Sequence, residues 1–229
     1  MMHGQRTRSY LYRMRIPPLV AAGCRCIAPD LMGFGLSDKP TKESDYTLRR
    51  RVKLITGLVE KLNLESVTVV GQDWGGPISL CYAIGHQSNI KTLVILNTLV
   101  TIMPILLFFK LIFQSGGFSS FLSKQVDLFR KMSFGGKLMI KRPSDASAEK
   151  QYIKDIEDTI RLWDIPVLVM FSDKDLAFNK VAEGQRIAEM APNGRFQVIE
   201  NAAYYLQKDT AAEIADRMAT FFRDEAKVS

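Results

Sequence analysis

At 229 residues, 47% hydrophobic and 24% charged, the chain can bury a sizeable core and is too apolar to be disordered. Three cysteines, Cys24, Cys26 and Cys81, exclude a disulfide-built scaffold and point to a reducing, cytoplasmic setting, while two histidines, His3 and His86, argue against a histidine-built zinc site. The net charge of +7 is densest at Arg49-Arg50-Arg51-Val52-Lys53, where no base-stacking aromatics are interleaved. That run therefore reads as a solvated helix face, not a nucleic-acid surface.

In chain order, Met1 to Arg15 is basic and lacks acids, but has no apolar stretch of the kind a secretory signal needs. Cys24 to Ala28 reads as a strand ending at Pro29-Asp30, and Leu48 to Leu62 has helical spacing. Val67 to Val70 reads as a second strand, Pro77 to Gly85 as a helix and Leu93 to Leu96 as a third strand. Val167 to Phe171 and Phe196 to Ile199 are further strands, separated by a helix over Val181 to Met190, and Ala211 to Phe222 closes the chain as an amphipathic helix. Continuous apolar strands alternating with helices predict a mostly parallel sheet covered on both faces, an α/β fold.

The rhythm breaks between the third and fourth strands. Leu99 to Phe113 is very apolar but contains Pro104 and Lys110, short of the ~20 clean residues of a membrane span. With the glycine-punctuated stretch that follows, it reads as a helical cap inserted into the core. The expected division is core over 1–98, cap over 99–155 and core again over 156–229.

The richest motif is Val69-Val70-Gly71-Gln72-Asp73-Trp74-Gly75-Gly76. A sharp strand-to-helix turn strains its middle residue and needs small neighbours two positions away on either side. It lifts the central side chain above the sheet, beside helix N–H groups that favour negative charge. Serine is usual at that point; here it is Asp73, whose carboxylate can attack an electrophilic carbon and form an ester. The alternative is a plain turn with Asp73 as a helix N-cap.

Around this elbow lie His3-Gly4, Ser9-Tyr10-Leu11-Tyr12-Arg13, Ile16-Pro17-Pro18-Leu19, Ala28-Pro29-Asp30-Leu31, Gly33-Phe34-Gly35-x-Ser37-Asp38-Lys39-Pro40 and Asp45-Tyr46-Thr47. Together they resemble the haloalkane dehalogenases of the α/β-hydrolase fold, densely over 3–98 and again over about 160–223. The resemblance implies that Asp73 displaces halide from a small halogenated hydrocarbon, and that a histidine then activates water to hydrolyse the alkyl ester. It implies halide binding by Trp74 and Gln5, an oxyanion hole from the backbone N–H groups of Gln5 and Trp74, and Asp175 as the acid. It implies no metal and no cofactor.

The chain departs from that pattern in places. Tyr204 stands where the family has its base histidine, and a phenol is only about one part in a thousand ionised at neutral pH. His86 lies thirteen residues past Asp73, roughly 20 Å along a continuous helix, and His3 in the oxyanion loop reads as structural. Gln5 takes the place of an Asn, and Arg6 that of a proline. Only Met1-Met2 precede His3, so the first three strands of the fold are expected to be absent and the cap shortened. Exposed sheet edges then offer a route to oligomers. The expected function is a dehalogenase-like hydrolase impaired in ester hydrolysis. The alternatives are a non-catalytic homologue binding an apolar ligand or a protein, and an epoxide or ester hydrolase.

Overall fold

The computed structural model describes residues 1–4, 7–98, 154–155, 157–174, 180–203, 205–206 and 210–226. The expected cap thus falls almost wholly outside the described residues, as do Gln5, Asp175 and Tyr204.

Four strands form one parallel sheet in the order β1 (Val67–Gln72), β2 (Ile90–Leu96), β3 (Val167–Ser172), β4 (Gly194–Ile199). β2 pairs with β3 from Leu93↔Val167 to Leu96↔Met170, so the two outer parts of the chain share one sheet across the segment between them. Five α-helices are described: α1 (Ile16–Ala21), α2 (Leu48–Lys61), α3 (Gly75–Gly85), α4 (Lys180–Met190) and α5 (Ala211–Glu225).

Side-chain alternation along the strands divides the core into two layers. Val69, Leu93, Ile95, Val167, Val169 and Phe171 turn to a layer with Ile55 and Val59 of α2, Ile78 and Tyr82 of α3, and Ile187 of α4. Val70, Val94, Leu96, Leu168, Met170 and Ile199 turn the other way, to Leu19 of α1 and Ile214, Met218 and Phe221 of α5. Each large apolar side chain buried in this way contributes about 1.5–3 kcal/mol. α2 begins at Thr47, whose extended backbone and hydroxyl cap the Arg50 N–H at 3.2 Å.

Two expectations are corrected. Cys24–Ala28 is not a strand, since its contact with the sheet is indirect: the Met1 ammonium donates to Ile27 O at 2.7 Å. Met2 lies between that segment and β1. Its N–H donates to Val70 O (2.7 Å) and its carbonyl accepts from Gln72 N–H (3.1 Å), a parallel bridge to Gly71. Finally, the basic run is not uniformly solvated. Helical periodicity turns Arg51 inward to 1% exposure, where it donates to Met32 O at 2.8 Å between the rings of Phe34 and Tyr46.

Candidate active site

Asp73 follows the last residue of β1, and α3 begins two residues later. Its φ of 53° lies in the left-handed region, which a side-chain-bearing residue occupies only when its surroundings hold it there. The holding contacts are specific. Asp73 N–H donates to Asn97 O (3.0 Å), and Asp73 O accepts from Gly76 N–H (3.0 Å) and from the Thr98 hydroxyl (2.6 Å). The glycines permit the crossing, for a Cβ at Gly76 would collide with Thr98 and one at Gly71 with the backbone of Gly75.

Asp73 is not an N-cap: Trp74 holds that position on α3, with no side-chain capping bond. Both Asp73 and Trp74 are half-buried. The strained turn expected of Gly-x-Asp-x-Gly is present at Asp73, and Asp73 as the helix N-cap is not. Facing it is the loop from Met2 to Gly4. Gly4 packs so closely that a Cβ there would fall on the Asp73 side chain, so the loop backbone lies directly against Asp73.

His3 fixes that loop. Its Nε2 accepts the Leu31 N–H at 2.9 Å, which places the ring proton on Nδ1, 2.8 Å from Gly4 O. Burial pulls the His3 pKa down, against the opposing bond to Gly4 and the charge of Asp30. The ring stands edge-on to Phe34 at 5.4 Å between centroids. With both nitrogens engaged, His3 serves as a structural clamp and not as a proton acceptor. His86 lies beyond the far end of α3, stacked on Tyr82 at 4.5 Å and bonded through Nδ1 to Tyr82 O at 2.8 Å. His3 is thus engaged within its own loop, and His86 lies at the end of α3 away from Asp73.

Opposite the elbow, Asn97 joins three elements. Its Nδ2 donates to Ser172 Oγ (2.7 Å) and to Ala203 O (3.4 Å), and its Oδ1 accepts from Ser172 N–H (2.9 Å). In the sequence Asn97 stands out only as an amide placed directly after an apolar strand. Asp173 is exposed, and its Oδ1 accepts from Ala202 N–H at 3.3 Å, in keeping with a surface role. Asp73 and Trp74 thus lie together at the expected place, while Gln5, Asp175 and Tyr204 remain assignments from sequence. Among the described residues no cluster of side chains could hold a metal ion, and no helix is long and apolar enough to cross a membrane.

A nucleophile elbow above a parallel sheet, with helices on both faces, defines a class. A family model for the α/β-hydrolase fold matches residues 1–135, and the chain belongs to that family. Within it, the chain is 30% identical over 258 aligned positions to the haloalkane dehalogenase of Psychrobacter cryohalolentis, across 99% of this chain and 84% of that protein. It is a haloalkane dehalogenase-like α/β hydrolase. Haloalkane dehalogenase 1 of Mycobacterium tuberculosis H37Rv is 53% identical over 97 residues, 42% of this chain, and the match spans about a third of that relative's length (32%). Among solved structures, the haloalkane dehalogenase of Bradyrhizobium elkani superposes with a TM-score of 0.75 at 18% identity, over 100% of this chain and 90% of the other. The tetrameric enzyme of Paraglaciecola agarilytica gives 0.73 at 24%, over 94% and 80%. Both likenesses concern the fold.

Proposed function

We propose that the chain attacks carbon–halogen bonds of small halogenated hydrocarbons through Asp73, and that it is impaired in releasing the product. The observation that carries this reading is the Asp73 backbone at φ 53°, held at the head of α3 against Gly4. A carboxylate oxygen of Asp73 forms a bond to the sp3 carbon, and the carbon–halogen pair of electrons leaves with the halide. The α3 N-terminus and the Trp74 indole N–H favour the departing anion. By resemblance, the Gln5 amide is the second halide donor, its backbone N–H and that of Trp74 form the oxyanion hole, and Asp175 is the acid. Hydrolysis of the ester then needs a base to take a proton from water. Tyr204 at the base position is a poor one.

A second reading, a non-catalytic relative that binds an apolar ligand or a protein, draws on the placement of the two histidines. His3 is committed to Gly4 and Leu31, and His86 to Tyr82.

The test is the intact mass of the chain after incubation with excess 1-bromobutane, beside an Asp73→Asn variant. A gain of one butyl group that is lost in the variant supports a nucleophile stalled at the ester. Tyr204→His is then expected to turn the stall into repeated halide release. No mass gain in a folded sample overturns the dehalogenating reading in favour of the non-catalytic one.

A further inference from the structure

Cys24 and Cys26, two of the three cysteines, come to one face of the chain just after α1. We propose that they form a dithiol that binds trivalent organoarsenicals, R–As(OH)2, as a cyclic dithiolate.

The placement is built from the helix end. α1 stops at Ala21, and Gly23 takes a φ of 87°, a left-handed turn that glycine adopts without a Cβ clash. Cys24 N–H then donates to Leu19 O (3.0 Å) and Gly23 N–H to Val20 O (2.9 Å), the paired bonds of a Schellman end. Cys24 is thereby set against the layer that holds Leu19. Alternation sends Arg25 out to solvent and turns Cys26 back to that same layer. At the other end of the segment Asp30 accepts from Ser9 N–H (2.7 Å) and Leu36 N–H (2.8 Å), so the backbone is held on both sides of the pair. Both cysteines are free and partly exposed, whereas Cys81 is buried. The Cys26 thiol bends back along the chain and donates to Cys24 O at 3.9 Å. Burial pushes the Cys26 thiol up, and the neighbouring Cys24 adds to the rise.

Three chemistries compete for two thiols so placed. A direct disulfide is disfavoured by span: two residues of extended chain cover about 6.6 Å, at the outer edge of the roughly 4.4–6.8 Å between the Cα atoms of a bridge. A metal ion is disfavoured by number. Structural thiolate sites commonly take four ligands, and among the described residues no third His, Cys, Asp or Glu completes a cluster. Trivalent arsenic needs only two protein sulfurs, because it carries its third substituent itself. Bonds of about 2.3 Å, as in a zinc thiolate, set the sulfurs roughly 3.5 Å apart, against about 2.05 Å in a disulfide, which relieves the span. Soft sulfur also selects a soft centre. In the step, each arsenic–oxygen bond breaks as an arsenic–sulfur bond forms, and each thiol proton leaves with a hydroxyl as water. Two thiols and R–As(OH)2 thus give R–As(S–Cys)2 and two waters, with no change in oxidation state.

The test incubates the whole chain with phenylarsenous acid in the presence of glutathione, and reads intact mass without denaturant beside a count of free thiols. The expected result is one phenylarsenic group per chain with two thiols lost, held against glutathione and released by 2,3-dimercaptopropan-1-ol. The second thiol of a chelate acts at high effective concentration, so Cys24→Ser and Cys26→Ser should each weaken binding about a hundredfold. Partial exposure makes serine tolerable at both positions, circular dichroism checks the fold, and alanine at either position should give the same result. Cys81→Ser and Asp73→Asn should leave binding unchanged, which separates the dithiol from the core and from the elbow. Absence of an adduct on folded protein overturns the assignment, as do wild-type affinity in either single variant, or an adduct lost with Cys81 or Asp73.

Discussion

Arg15 is fully buried, and none of its three guanidinium nitrogens has a hydrogen-bond partner among the described residues. The nearest compensation is the Tyr12 ring, 5.9 Å from Cζ, a contact worth about 0.5–2 kcal/mol. Burial holds the guanidinium well below its ordinary value, down to about 10, and a fall of that size corresponds to about 3 kcal/mol of cost for the charged form. Methionine has similar reach and no charge, and exchanging buried ions for apolar residues of like volume commonly stabilises by about 1–4 kcal/mol. Arg15→Met is therefore expected to raise unfolding free energy by about 2–3 kcal/mol. Equilibrium urea unfolding at pH 7.5 measures it as a higher midpoint at unchanged slope. The pH dependence has a definite sign. Between pH 10 and 12.5 the unfolded chain binds more protons at this site, so the wild type gains stability there and its deficit to the variant narrows. A midpoint that falls in Arg15→Met would refute the reasoning, because it would mean that the guanidinium finds compensation in the folded chain.

Three further outcomes follow from the site. Gly4→Ala places a methyl group on the Asp73 side chain, so it should lower butylation of Asp73 at least tenfold while leaving the circular dichroism spectrum unchanged; undiminished butylation would remove Gly4 from the nucleophile's surroundings. His3 has its pKa lowered by burial, so the folded state binds fewer protons than the unfolded one below pH 6.5. Stability should consequently fall as pH drops from 7 to 5 more steeply in wild type than in His3→Gln, as read from urea midpoints, and parallel slopes would contradict it. Thr47→Ala deletes the cap on α2 and should cost about 1 kcal/mol in the same assay; an unchanged midpoint would show that the cap contributes nothing.

Most helix and strand positions were readable because the apolar period survives the fold. The helix read over Leu48–Leu62 ends at Lys61, and Ala211–Phe222 runs on to Glu225. The strands came out too short at their ends. Gly71, Gln72, Ser172 and Gly194 belong to strands, but as glycine or polar residues they carry no apolar signal. Cys24–Ala28 misled in the other direction: its composition is strand-like, yet a strand is made by its neighbour, and that segment meets the sheet layer through Cys24 and Cys26 packing and a bond from Met1, not through a strand ladder. Arg51 and Arg15 were unreadable for a related reason. Charge predicts exposure, and only tertiary packing shows a guanidinium turned beneath Met32 or enclosed beside Tyr12.

Within the site, the two halves of the chemistry are built by different means, and this decides what sequence can say about each. The elbow half is local: Gly-x-Asp-x-Gly marks its own turn, and Gly4 is recognisable as the second residue of the His-Gly pair. The other half depends on loops that follow β3 and β4, and what brings those loops to the elbow is Asn97. One residue accepts the Asp73 N–H through its carbonyl and reaches Ser172 and Ala203 through its side chain. That arrangement ties the end of β2 to the ends of both following strands' territory, one residue short of Tyr204 in sequence. The Asp73 backbone is thus held by bonds with Asn97, Thr98 and Gly76. On the reading proposed above, alkylation and hydrolysis are then separable steps, the first resting on backbone geometry and the second on the side chain at 204.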